Sequence, residues 1–304
     1  MTSVQYLTKR PKGLFAGLTT VDLVFALDNY PVEDTKNTAL AYTAAAGGPA
    51  CNASVVFSYL GGDAHLVSPV GKSAIAGIAR SDLARYGVQH TDIAPSPTFE
   101  LPLSVIAAAS NKGSRTIVTS PTINNEIPEP PGDESIARWL HGIDTLLIDG
   151  HQCKLAGKLA QFAKQQGSTV ILDGDLYHEE IEGFLRFVDI VIFGKSFVLT
   201  ETHLNRNIFD YFRSFGIEQI VATQGGEPIR FFSEGRFGFI EIPEIRAVDT
   251  LAAGDFFHGA FCFSYGIYYD LVRALSFASK VASSSVTTFG PRDWMDEYEP
   301  HQFL

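Results

Sequence analysis

Cysteine, positive charge and long apolar runs are all scarce in this chain, and each scarcity excludes something. Three cysteines, Cys51, Cys153 and Cys262, occur in 304 residues. They are odd in number and far apart, and no Cys-x-x-Cys exists, so neither a disulfide framework nor a zinc site is indicated. Reduced thiols in a cytoplasmic protein are expected. Lysine and arginine total 23 against 34 aspartates and glutamates, for a net charge of −11. That balance argues against nucleic acid or an anionic membrane as the main partner. It leaves room for an anionic small molecule, which needs only a local basic pocket. No apolar run reaches the ~18 residues of a membrane-spanning helix. The first ten residues lack the apolar core of a secretion signal. Low-complexity tracts and internal repeats are missing too. What remains is 45% hydrophobic and 19% charged, an ordinary globular composition, long enough for one large α/β domain or two small ones.

One stretch organises the rest: Asp249-Thr250-Leu251-Ala252-Ala253-Gly254-Asp255, followed by the apolar run Phe256-Phe257-His258-Gly259-Ala260-Phe261. Small residues let a backbone approach an anion closely, and the first amides of a helix have no partners of their own. Together they form a cradle for phosphate or for a developing negative charge. A carboxylate beside the cradle can take the proton of an attacking hydroxyl, which suits phosphoryl transfer. The same residues are equally compatible with a small-residue turn in which Asp255 merely caps the helix.

This stretch resembles the Asp-Thr-x-Gly/Ala-Ala-Gly-Asp signature of the ribokinase-like (PfkB) sugar kinases, with Ala252 where many members carry glycine. A second stretch, Gly47-Gly48-Pro49-Ala50-Cys51-Asn52, resembles the family's Gly-Gly-x-x-x-Asn, and the two occur in the family's order. The resemblance implies Asp255 as general base, with amides of Ala252, Ala253 and Gly254 around the transferring phosphate. It implies sugar contacts from Asp22, Gly47, Gly48 and Asn52. It also implies ATP contacts from Asp173, Lys195, Thr223 and Gly225 (of the Thr-x-Gly loop), with Arg115 and Ser279 beside the nucleotide. Magnesium is implied as the metal of ATP, and potassium at Asp249. Gly194-Lys195-Ser196 stands where many members have Asn-x-x-Glu, which alters the expected magnesium arrangement.

Along the chain, strands are expected over 13–18, 21–27 and 36–44, around the loop Tyr30-Pro31-Val32-Glu33-Asp34. A helix is expected from Pro49 or Ala50 to Leu60, stopped at Gly61-Gly62. Gly71-Lys72-Ser73 is not a P-loop, because position 66 is Leu rather than Gly; it reads as the entry to a helix over 74–86. A hairpin is expected from 99–109 and 115–120, turning at Asn111-Lys112-Gly113-Ser114. A Pro-rich connector begins at Ile127. Strands and helices then alternate: strands at 145–148, 169–172, 190–193 and 217–222, a helix at 154–165 and a hairpin over 231–239. Helices close the chain, one running on through 258–264 and another over 271–285. Such alternation implies a parallel sheet with helices on both faces, with ligands beyond the strands' carboxyl ends. Asp149, His151, Asp173, Lys195 and Thr223 are thereby expected on one rim.

The expectation is thus one α/β, ribokinase-like domain over 1–304: a central, mostly parallel sheet flanked by helices, with a small β-sheet lid from about 21–46 and 98–121. The resemblance implies pairing of two lids into a homodimer, with Asp34 reaching the partner. The substrate stays open. Tyr-Pro-x-Glu-Asp, Gly-Ser-Arg-Thr-Ile and Gly-Lys-Ser resemble the family's ketohexokinase-like branch. Gly-Gly-Pro-Ala, Leu172-Asp173-Gly174-Asp175 and Phe-His-Gly-Ala resemble its sulfofructose-kinase-like branch. Of the latter's sulfonate-holding set, Lys36 matches, while Thr119 and His151 replace the other two. A neutral sugar such as a ketose is the favoured acceptor. A nucleoside, a sulfo- or phosphosugar, or a non-catalytic regulatory role are the alternatives.

Overall fold

The computed structural model describes residues 9–109, 114–120, 129–175, 177–199 and 207–303. The expected turn at residues 111–113 and the start of the connector at Ile127 lie outside them. The elements run β1 (Lys12–Ala16), β2 (Thr20–Leu27), β3 (Ala41–Gly47), α1 (Pro49–Tyr59), β4 (Asp63–Ser68), α2 (Ala76–Arg85), β5 (Gln89–Asp92), β6 (Leu103–Ala109) and β7 (Ser114–Thr119). They continue with α3 (Asp133–Leu140), β8 (Thr145–Ile148), α4 (Cys153–Gln166), β9 (Thr169–Gly174), α5 (Glu182–Leu185), β10 (Ile190–Phe193), α6 (Ile208–Arg213) and β11 (Gln219–Gln224). Last come β12 (Glu227–Ser233), β13 (Arg236–Ile240), α7 (Ala253–Tyr268), α8 (Leu271–Ser285) and α9 (Trp294–Glu297).

Two sheets result. The large one has the order β13-β12-β11-β10-β9-β8-β1-β4-β5. It is parallel from β11 to β5, and the β12–β13 hairpin adds an antiparallel edge. Its central strands are short apolar runs buried on both faces, as parallel strands covered by helices must be. Alternate side chains feed two cores. Leu14, Leu146, Ile148, Val170 and Leu172 pack with Leu155 of α4 and Ile136 of α3. Phe15, Leu147 and Ile171 pack on the other face with Phe57 of α1, Phe261 of α7 and Leu275 of α8.

The small sheet has the order β3-β2-β6-β7, with β2 parallel to β6 and the outer pairs antiparallel. Its strands leave the chain at two points flanking β4 and β5. Val24 and Ile106 on this sheet pack with Leu251, and Ala252 lies against them, so the sheet rests on the Asp249–Asp255 turn. The strand expected over 36–44 is corrected to Ala41–Gly47. Thr35 and Asn37 instead fold the preceding segment back on itself, the Thr35 hydroxyl donating to the Val32 carbonyl and the Asn37 amide to the Thr35 carbonyl. Strands β4 and β5 and helix α3 were not expected; β5 is Gln-His-Thr-Asp, with no apolar residue to reveal it.

Candidate active site

Strand order reverses between β1 and β8: the chain leaves β1 toward β4 and β5, and leaves β8 toward β9, β10 and β11. The crevice beyond the carboxyl ends at such a point is where open α/β sheets bind ligands. Asp149, directly after β8, spans it. Its carboxylate accepts from the amides of Leu18 (2.8 Å), Ala50 (3.2 Å) and His151 (3.0 Å). It therefore fixes the loop after β1, the first turn of α1 and its own loop. The rim position expected for Asp149 is right, but its carboxylate faces backbone.

Helices α1 and α7 meet above this crevice. A Cβ on Gly259 would lie 2.2 Å from the Ala53 carbonyl oxygen, so only glycine lets them approach this closely. The approach brings Asn52 Nδ2 to Asp255 Oδ2 at 2.7 Å. Helix α7 starts at Ala253, with Ala252 as its N-cap residue at φ 60° and no side chain capping its first amides. Asp255 is the third residue of the helix and does not cap it, which removes the plain-turn alternative. The Ala253 amide has a long bond, 3.4 Å, to the Thr250 carbonyl.

Burial raises the pKa of Asp255 to about 7, with the Asp173 carboxylate adding to the shift and the Asn52 hydrogen bond opposing it. Burial also pushes Asp173 well above the usual carboxylate range, aided by Asp149 and Asp175. His258, one turn after Asp255, puts Nδ1 2.8 Å from the Gly254 carbonyl and 3.3 Å from Asp173 Oδ2. Its Nε2 lies 3.4 Å from the Ile192 carbonyl. Burial lowers its pKa, against the pull of Asp255.

Sequence reasoning missed the group behind Asn52. Arg292 is 5% exposed and donates through Nη2 to Asn52 Oδ1 (3.0 Å), the Ala46 carbonyl (2.9 Å) and Asp82 Oδ2 (3.0 Å). Its Nε adds a second bond to Asp82 Oδ2 at 3.1 Å, and the same oxygen accepts from the Ala46 amide at 3.0 Å. With its carbonyl oxygen turned to a cation, Asn52 must present its NH2 to Asp255, so Arg292 fixes the amide's orientation. Nothing in the local sequence around Arg292 signals this; the partners lie 240 and 210 positions away.

Asp22 sits inside β2, paired across from Ala45. It accepts from the Thr20 hydroxyl at 2.8 Å. Burial raises its pKa, and Thr20, Arg292 and Ser104 resist the rise. A Cβ on Gly47 would lie 2.1 Å from an Asp22 carboxylate oxygen. Gly48 adopts φ +95°, and a Cβ there would lie 2.4 Å from the Leu18 carbonyl oxygen. Both glycines are thus required sterically, and Asp22, Gly47, Gly48 and Asn52 belong to one neighbourhood.

A cavity of about 450 Å³ opens beyond β10 and β11, lined by residues including Phe193, Lys195, Phe197, Leu199, Thr223 and Gln224. Its floor residue Phe193 directly follows Ile192, whose carbonyl meets His258. Lys195 and Thr223 of the expected nucleotide set line it; Asp173, Gly225, Arg115 and Ser279 do not. Ser279 is buried in α8, its hydroxyl donating to the Ser276 carbonyl at 3.0 Å. Arg115, on β7, instead donates to the Thr250 hydroxyl and so ties the small sheet to the turn. Asp249 accepts from the amides of Leu251 (2.9 Å) and Gly290 (3.1 Å). Thr119 bonds Ser104 at 3.1 Å. Asp34, Lys36 and His151 are exposed, Asp34 at φ 56°.

Comparison with known proteins agrees with this architecture. The solved ribokinase of Arabidopsis thaliana, complexed with ribose and ATP, superposes with a TM-score of 0.72 at 19% identity, covering 93% of this chain and 94% of that one. The fructokinase of Xylella fastidiosa, with bound ATP, gives 0.76 at 16% identity, covering 93% and 94%. The fold is therefore that of the ribokinase-like sugar kinases. In sequence, residues 12–297 match the pfkB family carbohydrate kinase profile, and the chain belongs to that family of phosphotransferases. The ketohexokinase of Mus musculus is 24% identical over 292 residues, 88% of this chain and 94% of that protein.

Proposed function

We propose that this chain transfers the γ-phosphoryl group of ATP to a hydroxyl of a neutral sugar such as a ketose, with Asp255 as general base. The observation that carries the reading is the Asn52–Asp255 contact at the uncapped start of α7. There, a carboxylate raised to about 7 stands beside helix amides that no side chain caps. A base of that pKa is half ionised near neutral pH, where proton abstraction from a hydroxyl is most effective. Amides of the Ala252, Ala253 and Gly254 segment face the transferring phosphoryl group and stabilise its charge.

The sugar lies between Asp22, Gly47, Gly48 and Asn52, with Lys36, Thr119 and His151 at the edge of its site. Carboxylate and amide acceptors there select hydroxyls. ATP lies along Asp173, Lys195, Thr223 and Gly225, its base in the cavity beyond β10, with Arg115 and Ser279 at the periphery. Magnesium fits this donor set: the Asp175 carboxylate helps to raise the pKa of both Asp173 and Asp255, and Asp173 that of Asp255, and a divalent cation offsets that repulsion. Asp173 and Asp175 would hold it, and its chemistry is to neutralise phosphate oxygens. Potassium would sit at Asp249, whose oxygens each hold one amide and keep a lone pair to spare.

Similarity to a ketohexokinase and a fructokinase supports a ketose, and similarity to ribokinases supports an aldose as the second reading. The small sheet acts as the lid of a single domain and pairs with a second copy. Its Tyr42, Ile117 and Val118, with Leu40 just before β3, are exposed apolar side chains, and Asp34 reaches out from the loop between β2 and β3. The setting is cytoplasmic; no helix among the described residues is long and apolar enough to cross a membrane.

The test is ADP release with magnesium and potassium across ketoses, aldoses, phosphosugars, sulfofructose and nucleosides, with Asp255→Asn as control. Turnover of one neutral sugar, lost in the variant, is expected. Turnover confined to a nucleoside or an anionic sugar overturns the substrate class. Undiminished activity of the variant overturns the base.

A further inference from the structure

Cys153, His178 and Glu180 come together on the rim, outside the groups assigned above. Cys153 opens α4, four residues after Asp149. His178 and Glu180 follow β9, a few residues after Asp173 and Asp175. The Cys153 sulfur, an imidazole nitrogen and a Glu180 carboxylate oxygen all lie within 4.8 Å of one another. Sγ is 3.9 Å from His178 Nδ1. In a tetrahedral zinc site a thiolate sulfur and an imidazole nitrogen stand about 3.6 Å apart, from bond lengths of about 2.3 and 2.05 Å. The separation must close by a few tenths of an ångström, and because Nε2 is also 3.9 Å from Sγ, the ring must turn to aim Nδ1 at a shared ion. Glu180 is exposed, so its carboxylate can swing the remaining distance.

The imidazole already holds its proton on the far nitrogen. His178 Nε2 is 3.0 Å from the Gly150 carbonyl oxygen. A carbonyl only accepts, so Nε2 carries the proton and Nδ1 keeps its lone pair for a metal ion. Metal-binding histidines are held in just this way, the far nitrogen donating to a carbonyl or carboxylate. Chain spacing hid the group, because Cys153 and His178 are 25 positions apart.

We propose that Cys153, His178 and Glu180 form a binding site for a borderline divalent cation, zinc foremost, with the fourth position open to water. One sulfur, one imidazole nitrogen and one carboxylate oxygen make a mixed set that favours zinc over magnesium or calcium, which prefer all-oxygen ligands. Binding releases the Cys153 thiol proton to solvent as the sulfur–metal bond forms. The bound ion clamps the segment carrying Asp149 to the segment carrying Asp173. The site is independent of which sugar the enzyme phosphorylates.

Cobalt(II) titration of chelator-treated protein, followed in the near ultraviolet and visible, tests this. Cys51 and Cys262 are fully buried, so a thiolate-to-cobalt band reports Cys153. One equivalent with that band, displaced by zinc, is expected, together with a zinc-induced rise in melting temperature. Cys153→Ser should lose the band and the rise. His178→Ala and Glu180→Gln should each weaken cobalt binding at least tenfold. No thiolate band at excess cobalt, a band that survives in Cys153→Ser, or unchanged affinity in both other variants overturns the site. Circular dichroism of the metal-free variants identifies any that fail to fold. Exposed Glu180 is the least exposed to that failure and carries the comparison if His178→Ala does not fold.

Discussion

The two halves of the candidate site are built differently. Around Asp255, fixed partners form a relay: Asn52 holds the carboxylate, Arg292 holds Asn52, and Asp82 holds Arg292. Around Lys195, the cavity wall is largely apolar and aromatic, and Lys195 itself is exposed. The first arrangement sets a carboxylate's position before any ligand arrives, which is what proton transfer needs. The second offers a slot and an exposed cation, which suits the nucleotide of the proposed reading.

That contrast can be broken in graded ways. Asp255→Asn should lower kcat by about 10²–10⁴-fold, the range typical of a general base, while thermal-shift titration with ATP stays close to the parent. In the parent, kcat/KM should fall on the acid side of a pKa near 7. The stability of Asp255 has a definite sign. Its folded-state pKa is raised, so the folded state holds the proton where the unfolded chain has lost it. Its contribution therefore grows less favourable as pH climbs from the ordinary carboxylate value to about 7, and levels off above. Denaturation should accordingly show Asp255→Asn gaining more stability, relative to the parent, at pH 8 than at pH 4.

Arg292→Met leaves the Asp82 carboxylate buried without its cation and should cost about 3–5 kcal/mol of unfolding free energy. Adding Asp82→Leu should restore much of that in urea denaturation without restoring kcat, because Asn52 stays unanchored. Full recovery of kcat in the double variant would show that Arg292 serves stability alone. On the other side, Lys195→Ala should raise the KM for ATP about tenfold and leave kcat within a few-fold, as expected for uniform binding. The smallest effect is expected at Ala252, held at φ 60°. Ala252→Gly should stabilise by about 1 kcal/mol or less in the same denaturation, since glycine alone adopts that region without penalty.

The contrast also governs what could be read from sequence. The turn at Asp249–Asp255 and the Gly47–Asn52 entry to α1 are local: residue type and spacing state the geometry, and both stand as expected. Strands β8 and β10 match their expected bounds because buried parallel strands are bare apolar runs. Strand β5 carries no apolar residue, and β3 lay shifted because Ala41–Ala46 alternates too weakly to set its register. Arg292 was invisible for another reason. Its role is defined wholly by partners from distant elements, and a lone arginine after Gly290-Pro291 looks like any surface cation. The same holds for Asp149, whose carboxylate organises three backbone segments rather than a ligand.

The reach of Arg292 has a consequence for how this enzyme comes into being. Asn52 and Asp82 leave the ribosome long before Asp255 and Arg292. The first two await partners more than 200 positions away. Contacts of such separation form late in folding. The Asn52–Asp255 contact is thus unsupported until Arg292 arrives, and a molecule truncated before Arg292 carries an Asp255 whose bearing has never been set.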